Sequence, residues 1–466
     1  MKVCFTFLLL LLLPTLLSAQ DFDFPLQDSA VIKIIDQVPS DIEAFAAKDS
    51  IGNRVIGAMV AGKPDGEWKV YFPDRGERAK FTYQNGLLNG AFVRYHGNGK
   101  IAESGDYEAG TKIGNWVTYH LEGQISEQIP YEEGKLEGLY SSFDKLGEPI
   151  LAAAYEDGIL VGPYLEYYDR ERIALRGYYK EGRKDSVWTN YDDWGTKVWE
   201  KGYRNDQPHG EWRYYFRSGR ISGRENYTYG VKDGFFEDYH SNGKLARSYY
   251  FKNNQLDSAY REYHTNGSPS VEGNYRFDLK VGTWLSFLPD GSLYAIGDYA
   301  RDRKTGVWKY FYETGELENE GSYQVDMRDG QWIKYHKNGK LAEIGSYDND
   351  QKVGLWGVFY ENEQLKQDEN WRNGRLMNVS EFYTPQGEQI YSGNFLNGTG
   401  KLLDFYEDGT LKSEYNYANG RPDGIFKEYH PNGNIMTEGF YDDGVPIGLW
   451  KSYNRRGKLN SQETKG

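Results

Sequence analysis

The side chains of this chain that could do acid–base or metal chemistry are its seven histidines, its 69 carboxylates and one cysteine. Their spacing argues against that use. His96, His120, His240, His264, His336 and His430 each follow an aromatic residue and precede a turn such as Asn98-Gly99. The neighbours His96 and His120, like His240 and His264, stand 24 residues apart. If each interval is one two-stranded hairpin, equivalent side chains lie roughly 10 Å apart, because paired strands are spaced by about 4.8 Å. A zinc ligand must come within about 2.0–2.1 Å of the metal, so neighbouring histidines cannot share one ion. His209 lies in a separate turn. The acidic pairs Asp192-Asp193 and Asp442-Asp443 also sit in turns, where adjacent acids are solvated, and Glu103, Glu127, Glu343 and Glu438 recur on return strands. No carboxylate pair stands apart as a general acid and base. A phosphate-binding Gly-x-x-x-x-Gly-Lys-Ser/Thr element, a strand-Gly-x-Gly-x-x-Gly-helix unit and the nucleophile Gly-x-Ser-x-Gly signature are missing. Cys4 lies within an apolar leader, so it offers no thiol chemistry to the rest of the chain. The expectation is a protein with no catalytic residue, no metal and no cofactor.

What must position these side chains is a repeat. Anchors at position 0 fall at Gly66, Gly90, Gly114, Gly138 and onward to Gly448, with Ser186, Ser258 and Asn378 replacing glycine. The step is 24 residues, apart from 22 between Asn378 and Gly400. Position +2 is aromatic in fifteen of seventeen units, failing at Ser380 and Leu402, while +5 is aromatic in all seventeen and +17 in the sixteen complete units from Tyr83 to Tyr441. Asn-Gly recurs at +8 and +9, as in Asn242-Gly243 and Asn338-Gly339. Asn-Gly accepts the positive φ angles of a tight hairpin turn, and aromatic-rich runs of this length read as strands. One unit is therefore a β-hairpin. A lone hairpin is marginal in water, whereas stacked ones share an apolar layer. The fold expected is all-β: tandem hairpins in an elongated, twisted, single-layer antiparallel sheet.

Trp68, Trp116, Trp308, Trp332, Trp356 and Trp450 at +2, with Tyr71, Tyr95, Tyr119, Tyr335 and Tyr453 at +5, are assigned to the repeated aromatic layer. The odd spacing from +2 to +5 puts the two on opposite faces of a flat strand, so either a bulge or strong twist intervenes or both faces are aromatic. Because +2 varies in size, it is also the better candidate for lining a groove. Trp188, Trp194, Trp199 and Trp212 crowd one irregular region and form the candidate partner-binding group. A second irregular region lies between Asn378 and Gly400 and reads as a partner site or a bend.

The ends read differently. Residues 1–19, with Lys2, the run Phe5–Leu13 and Ser18-Ala19-Gln20, resemble a secretory signal cleaved after Ala19. Residues 20–50 are a linker or cap, with a short helix over Asp41–Lys48. Residues 51–62 look like a half-repeat covering the first edge, residues 51–460 hold the repeats, and 461–466 read as a polar tail. A net charge of −14 argues against nucleic acid and anionic lipid as partners.

The pattern Gly-x-Trp-x-x-Tyr-x-x-x-Gly, followed by Gly-x-Tyr-x-x-Gly, resembles the MORN repeat, and Gly90–Lys100 and Gly330–Lys340 show it well. The bacterial MORN-repeat variant, whose members often carry an antitoxin-like label, is the nearest type. The resemblance implies hairpins in a twisted sheet, roles in scaffolding and interaction, and no shared catalytic residue. The function expected is an exported, non-catalytic scaffold of the cell envelope or exterior with a protein partner. The alternatives are a glycan- or wall-binding module and an antitoxin-like binder of a toxin.

Overall fold

The computed structural model describes residues 42–48, 52–73 and 76–466, and these form strands and turns with no helix among them. The residues read as a signal, 1–19, and those read as a linker, to residue 41, lie outside the described residues. The chain divides into two compact units, Met1–Ile221 with Tyr227–Gly230 and Ser222–Asn226 with Val231–Gly466. Each is built of antiparallel hairpins, in most of which a strand pairs with the strands before and after it in sequence.

The first unit shows how one hairpin is made. Its first strands are β1 (Ile42–Lys48), β2 (Arg54–Val60), β3 (Lys63–Tyr71), β4 (Glu77–Gln84) and β5 (Leu87–Tyr95). Between β3 and β4 the pairs are Gly66↔Tyr83, Trp68↔Phe81 and Val70↔Ala79, and then Tyr71↔Glu77, so Arg78 is skipped. The same shift recurs in later hairpins, for instance between Lys334 and Tyr335. It is a β-bulge on the return strand, which bends and twists the pair.

The pairing settles the question of faces. Position +2 pairs with +15 and +3 with +14, and alternate pairs point to opposite faces. Trp332 thus shares a face with Tyr323 and Tyr347, its centroid lying 5.2 and 6.2 Å from theirs in edge-on contacts. Several +5 hydroxyls reach instead to the +14 carboxylates of the preceding hairpin, as in Tyr335 to Glu320 (3.1 Å) and Tyr429 to Glu414 (2.6 Å). Both faces carry aromatic rows. The +2 and +17 rings form the buried layer, while the +5 rings form a second, half-buried row.

Small residues make room for that layer. A Cβ built on Gly321 would lie 2.2 Å from Trp332, and one on Gly345 would lie 1.9 Å from Trp356. Eight of the nine tryptophans at +2 follow a hairpin with glycine at +15. Phe92, Tyr164 and Phe426 instead follow Phe81, Ala153 and Tyr415. A flat indole needs the backbone beneath it, whereas a smaller ring leaves space for a side chain. A basic residue at −2 closes the layer from above: Lys304 Nζ lies 4.3 Å from the Trp308 ring and Lys352 Nζ 4.0 Å from Trp356. Such contacts contribute about 0.5–2 kcal/mol each.

Three expectations about the ends are corrected. Residues 42–48 form a strand, not a helix, because pairing with β2 satisfies backbone groups that an isolated turn of helix would leave to solvent. Phe45 opposes Gly57, the register of +2 against +15, so residues 42–60 make a whole first hairpin and β2 is interior to it. The stretch read as a polar tail is also ordered: Leu459–Lys465 pairs with Val445–Tyr453 from Tyr453↔Leu459 to Gly448↔Lys465.

In the second unit the ladder breaks. Pairing runs to Glu369↔Val379 and resumes at Gly400↔Tyr417. Between them lie the small pair Phe382–Tyr383 with Gln389–Ile390 and the isolated bridges Gly393↔Leu402 and Leu396↔Thr399. The turns bridge the gap, with Leu376 N–H donating to Gly420 O at 3.1 Å and Gly398 N–H to Met377 O at 2.7 Å. Tyr360, Phe382 and Phe405 bury one another there, backed by Ile390, Leu403 and Leu411.

Candidate functional site

The histidines are fastened to the scaffold. His96 Nε2 meets the Tyr119 carbonyl at 2.9 Å, His120 meets Phe143 at 3.0 Å and His336 meets Phe359 at 2.9 Å. A carbonyl can only accept, so Nε2 carries the proton. Tyrosines at the same position do the same work: Tyr312 and Tyr360 donate to the carbonyls of Tyr335 and Tyr383 at 2.7 and 2.8 Å. At the turn, Asn338 Nδ2 donates to Glu361 O at 2.9 Å while its Oδ1 accepts from Lys340 N–H at 3.0 Å. Each turn is thereby tied to the next. Among the described residues no group of three His, Cys, Asp or Glu side chains is arranged to hold a metal ion.

The four tryptophans singled out as a partner-binding group do not act as one. Trp188 is 1% exposed and Trp212 9%, each buried at +2. They are core residues and cannot present a ring to a partner. Trp194 stands in a turn, 72% exposed, with the Arg217 guanidinium 5.6 Å from its ring. Trp199 is half-buried on a return strand, with Lys201 Nζ 4.9 Å from its ring.

The exposed apolar surface lies elsewhere. Position +1 points away from the tryptophan layer, and it carries Leu139 and Val187 in the first unit and Phe235, Val307, Leu355 and Ile425 in the second, all exposed. Leu355 keeps 65% of its surface and Val307 54%. Cross-strand neighbours add to it, with Tyr178 opposite Pro163 and Phe440 opposite Ile425. Sequence reading missed this row because +1 mixes these residues with Glu67, Asn115, Glu211 and Lys401, so no single residue type marks it.

The break in the second unit creates a further feature. Beside it lies an open groove of about 630 Å³ lined by Tyr312, Tyr335, Phe359, Tyr360, Phe405 and Tyr406. Lys334, Lys366 and Lys412 face it together with Glu343, Glu361 and Glu407. Lys366 and Lys412 both pair with Asp404, at 3.7 and 3.2 Å, and Glu343 pairs with Lys352 at 2.6 Å. Burial and the nearby Glu407 and Asp404 push the Tyr360 phenol up to about 12. A smaller cavity of about 230 Å³ shares Lys334 and Glu343 and reaches Trp332 and Trp356.

Fold and surface together define a tandem β-hairpin repeat protein with a packed aromatic layer and exposed apolar side chains. The chain carries MORN-type repeats: the model of the MORN repeat variant matches residues 232–253, 304–324, 328–349, 399–419 and 422–443. No curated protein matches the chain. Similar solved structures include a crystal structure of TcdB2-TccC3-Cdc42, 10% identical, with a TM-score of 0.14, over 93% of this chain and 31% of that chain. The Tc holotoxin pore of Photorhabdus luminescens is 11% identical, with a TM-score of 0.14, over 88% of this chain and 25% of that one. The chain thus spans under a third of the length of either structure. Among the described residues no helix is long and apolar enough to cross a membrane.

Proposed function

We propose that the chain is an exported, non-catalytic scaffold that binds a protein partner through its +1 apolar rows. The observation that supports this most directly is the exposure of Val307 and Leu355 on the face opposite the buried tryptophans. These side chains contribute nothing to the packed layer, and exposed apolar patches of this kind mark interaction sites. The scaffold spends its histidines, turn asparagines and tyrosine hydroxyls on bonds between hairpins, as in His336 to Phe359 and Asn338 to Glu361. That leaves recognition rather than chemistry to the surface. Export rests on residues 1–19, with cleavage after Ala19. N-terminal sequencing of the protein from its source is expected to begin at Gln20; a chain retaining Met1 in the cytoplasm would refute export.

The binding reading is tested by affinity capture with the chain from Gln20 onward, beside a variant carrying V307D and L355D. One stoichiometric protein, captured by the parent and lost by the variant, is the expected result. Equal capture by both would place the partner on another surface.

A further inference from the structure

The groove at the break differs from the rest of the array in origin. On either side of it in this unit, strands pair in a regular ladder and equivalent positions repeat. Here the hairpin expected between Val379 and Gly400 is displaced, and Phe405 packs with Tyr360 and Phe382. The lining is aromatic, and three lysines face three glutamates. On a chain of net charge −14 this local balance is distinctive. It rewards neither a polyanion nor a polycation.

Several polar groups at the rim retain bonding capacity. Among the described residues, Lys334, Glu361 and Glu407 enter no ion pair, unlike Lys366, Lys412 and Glu343. Lys334 is a donor and the two carboxylates are acceptors. A ligand that meets all three must donate and accept in one small volume while presenting an apolar surface to aromatic rings. Hydroxyl groups do the first and the C–H faces of sugar rings do the second. The volume, about 630 Å³, lies in the range of small-ligand sites.

We propose that this groove binds a neutral oligosaccharide, with Glu361 and Glu407 accepting from its hydroxyls, Lys334 donating to them, and tyrosines such as Tyr312 and Tyr406 contacting ring faces. The site is separate from the +1 row, so it stands or falls independently of the protein-binding proposal.

The test uses the chain from Gln20 onward, titrated calorimetrically with cellotetraose, maltotetraose and tetra-N-acetylchitotetraose. At least one is expected to bind at a single site, with an affinity that barely changes from low salt to roughly 0.5 M salt, since no net charge is neutralised. The double variant E361Q/E407Q is expected to weaken that binding by about tenfold, with the circular dichroism and Tm of the parent. E122Q, in a turn of the other unit, should bind as the parent does. The proposal is overturned if none of the three sugars binds at about 10 mM, or if the double variant binds as tightly as the parent. Binding that collapses in salt would equally contradict it, because it would reveal a charged ligand.

Discussion

The indole of Trp356 lies directly on Gly345: a Cβ at that glycine would stand 1.9 Å from the ring. Gly345→Ala should therefore overpack the layer and destabilise the second unit by about 1–3 kcal/mol, read from urea unfolding. Gly97, whose Cβ would meet nothing within 4 Å, serves as control, and Gly97→Ala should be near neutral. Adding Trp356→Phe should recover part of the loss, because Phe92 beside Phe81 shows the smaller ring tolerating a side chain there. Additive effects in the double variant would refute the coupling.

The same layer separates the four crowded tryptophans. Trp188→Ala empties a fully buried site and should cost about 3–5 kcal/mol. Trp194→Ala removes an exposed side chain and should stay within about 0.5 kcal/mol. Thermal melts of the two variants decide the matter, and similar losses would mean that the burial assigned to Trp188 is wrong.

The ties between turns make a second prediction about stability. His336→Ala deletes the bond to the Phe359 carbonyl and should cost about 0.5–1.5 kcal/mol. His336→Tyr should restore most of it, since Tyr312 and Tyr360 make the equivalent bond in neighbouring hairpins. Failure of tyrosine to rescue would show that the imidazole does something more than hold a carbonyl.

The tyrosine rows predict an alkaline transition. Burial raises the phenols of Tyr249, Tyr323 and Tyr415 from the usual 10.0 to about 12. A folded pKa above the unfolded value means a contribution that is complete below pH 10 and is lost as pH rises towards 12. Stability should be level through neutral pH and fall steeply above pH 10. Phenolate absorbance from these rows should appear together with unfolding; ionisation well before the loss of circular dichroism would contradict their burial.

Much of this was legible in the sequence, because a repeat multiplies weak signals. The anchors, the hairpins, the turn asparagines and the fate of the histidines all follow from spacing. What was not legible follows from geometry. Whether Trp332 is buried or exposed depends on the face it shares with Gly321, and that required the register. The first hairpin was hidden because Phe45 reaches its place opposite Gly57 without an anchor glycine before it. The groove near Tyr360 escaped because it arises where the repeat fails, and only its location was visible as a shortened step.

The central claim is that recognition belongs to the +1 row and packing to the tryptophans behind it. The measurement that bears on it most directly is affinity capture of the partner by the parent chain and by V307D/L355D, with urea unfolding of both. Unchanged stability with partner binding lost is the predicted result. Binding that survives in a folded variant would contradict it.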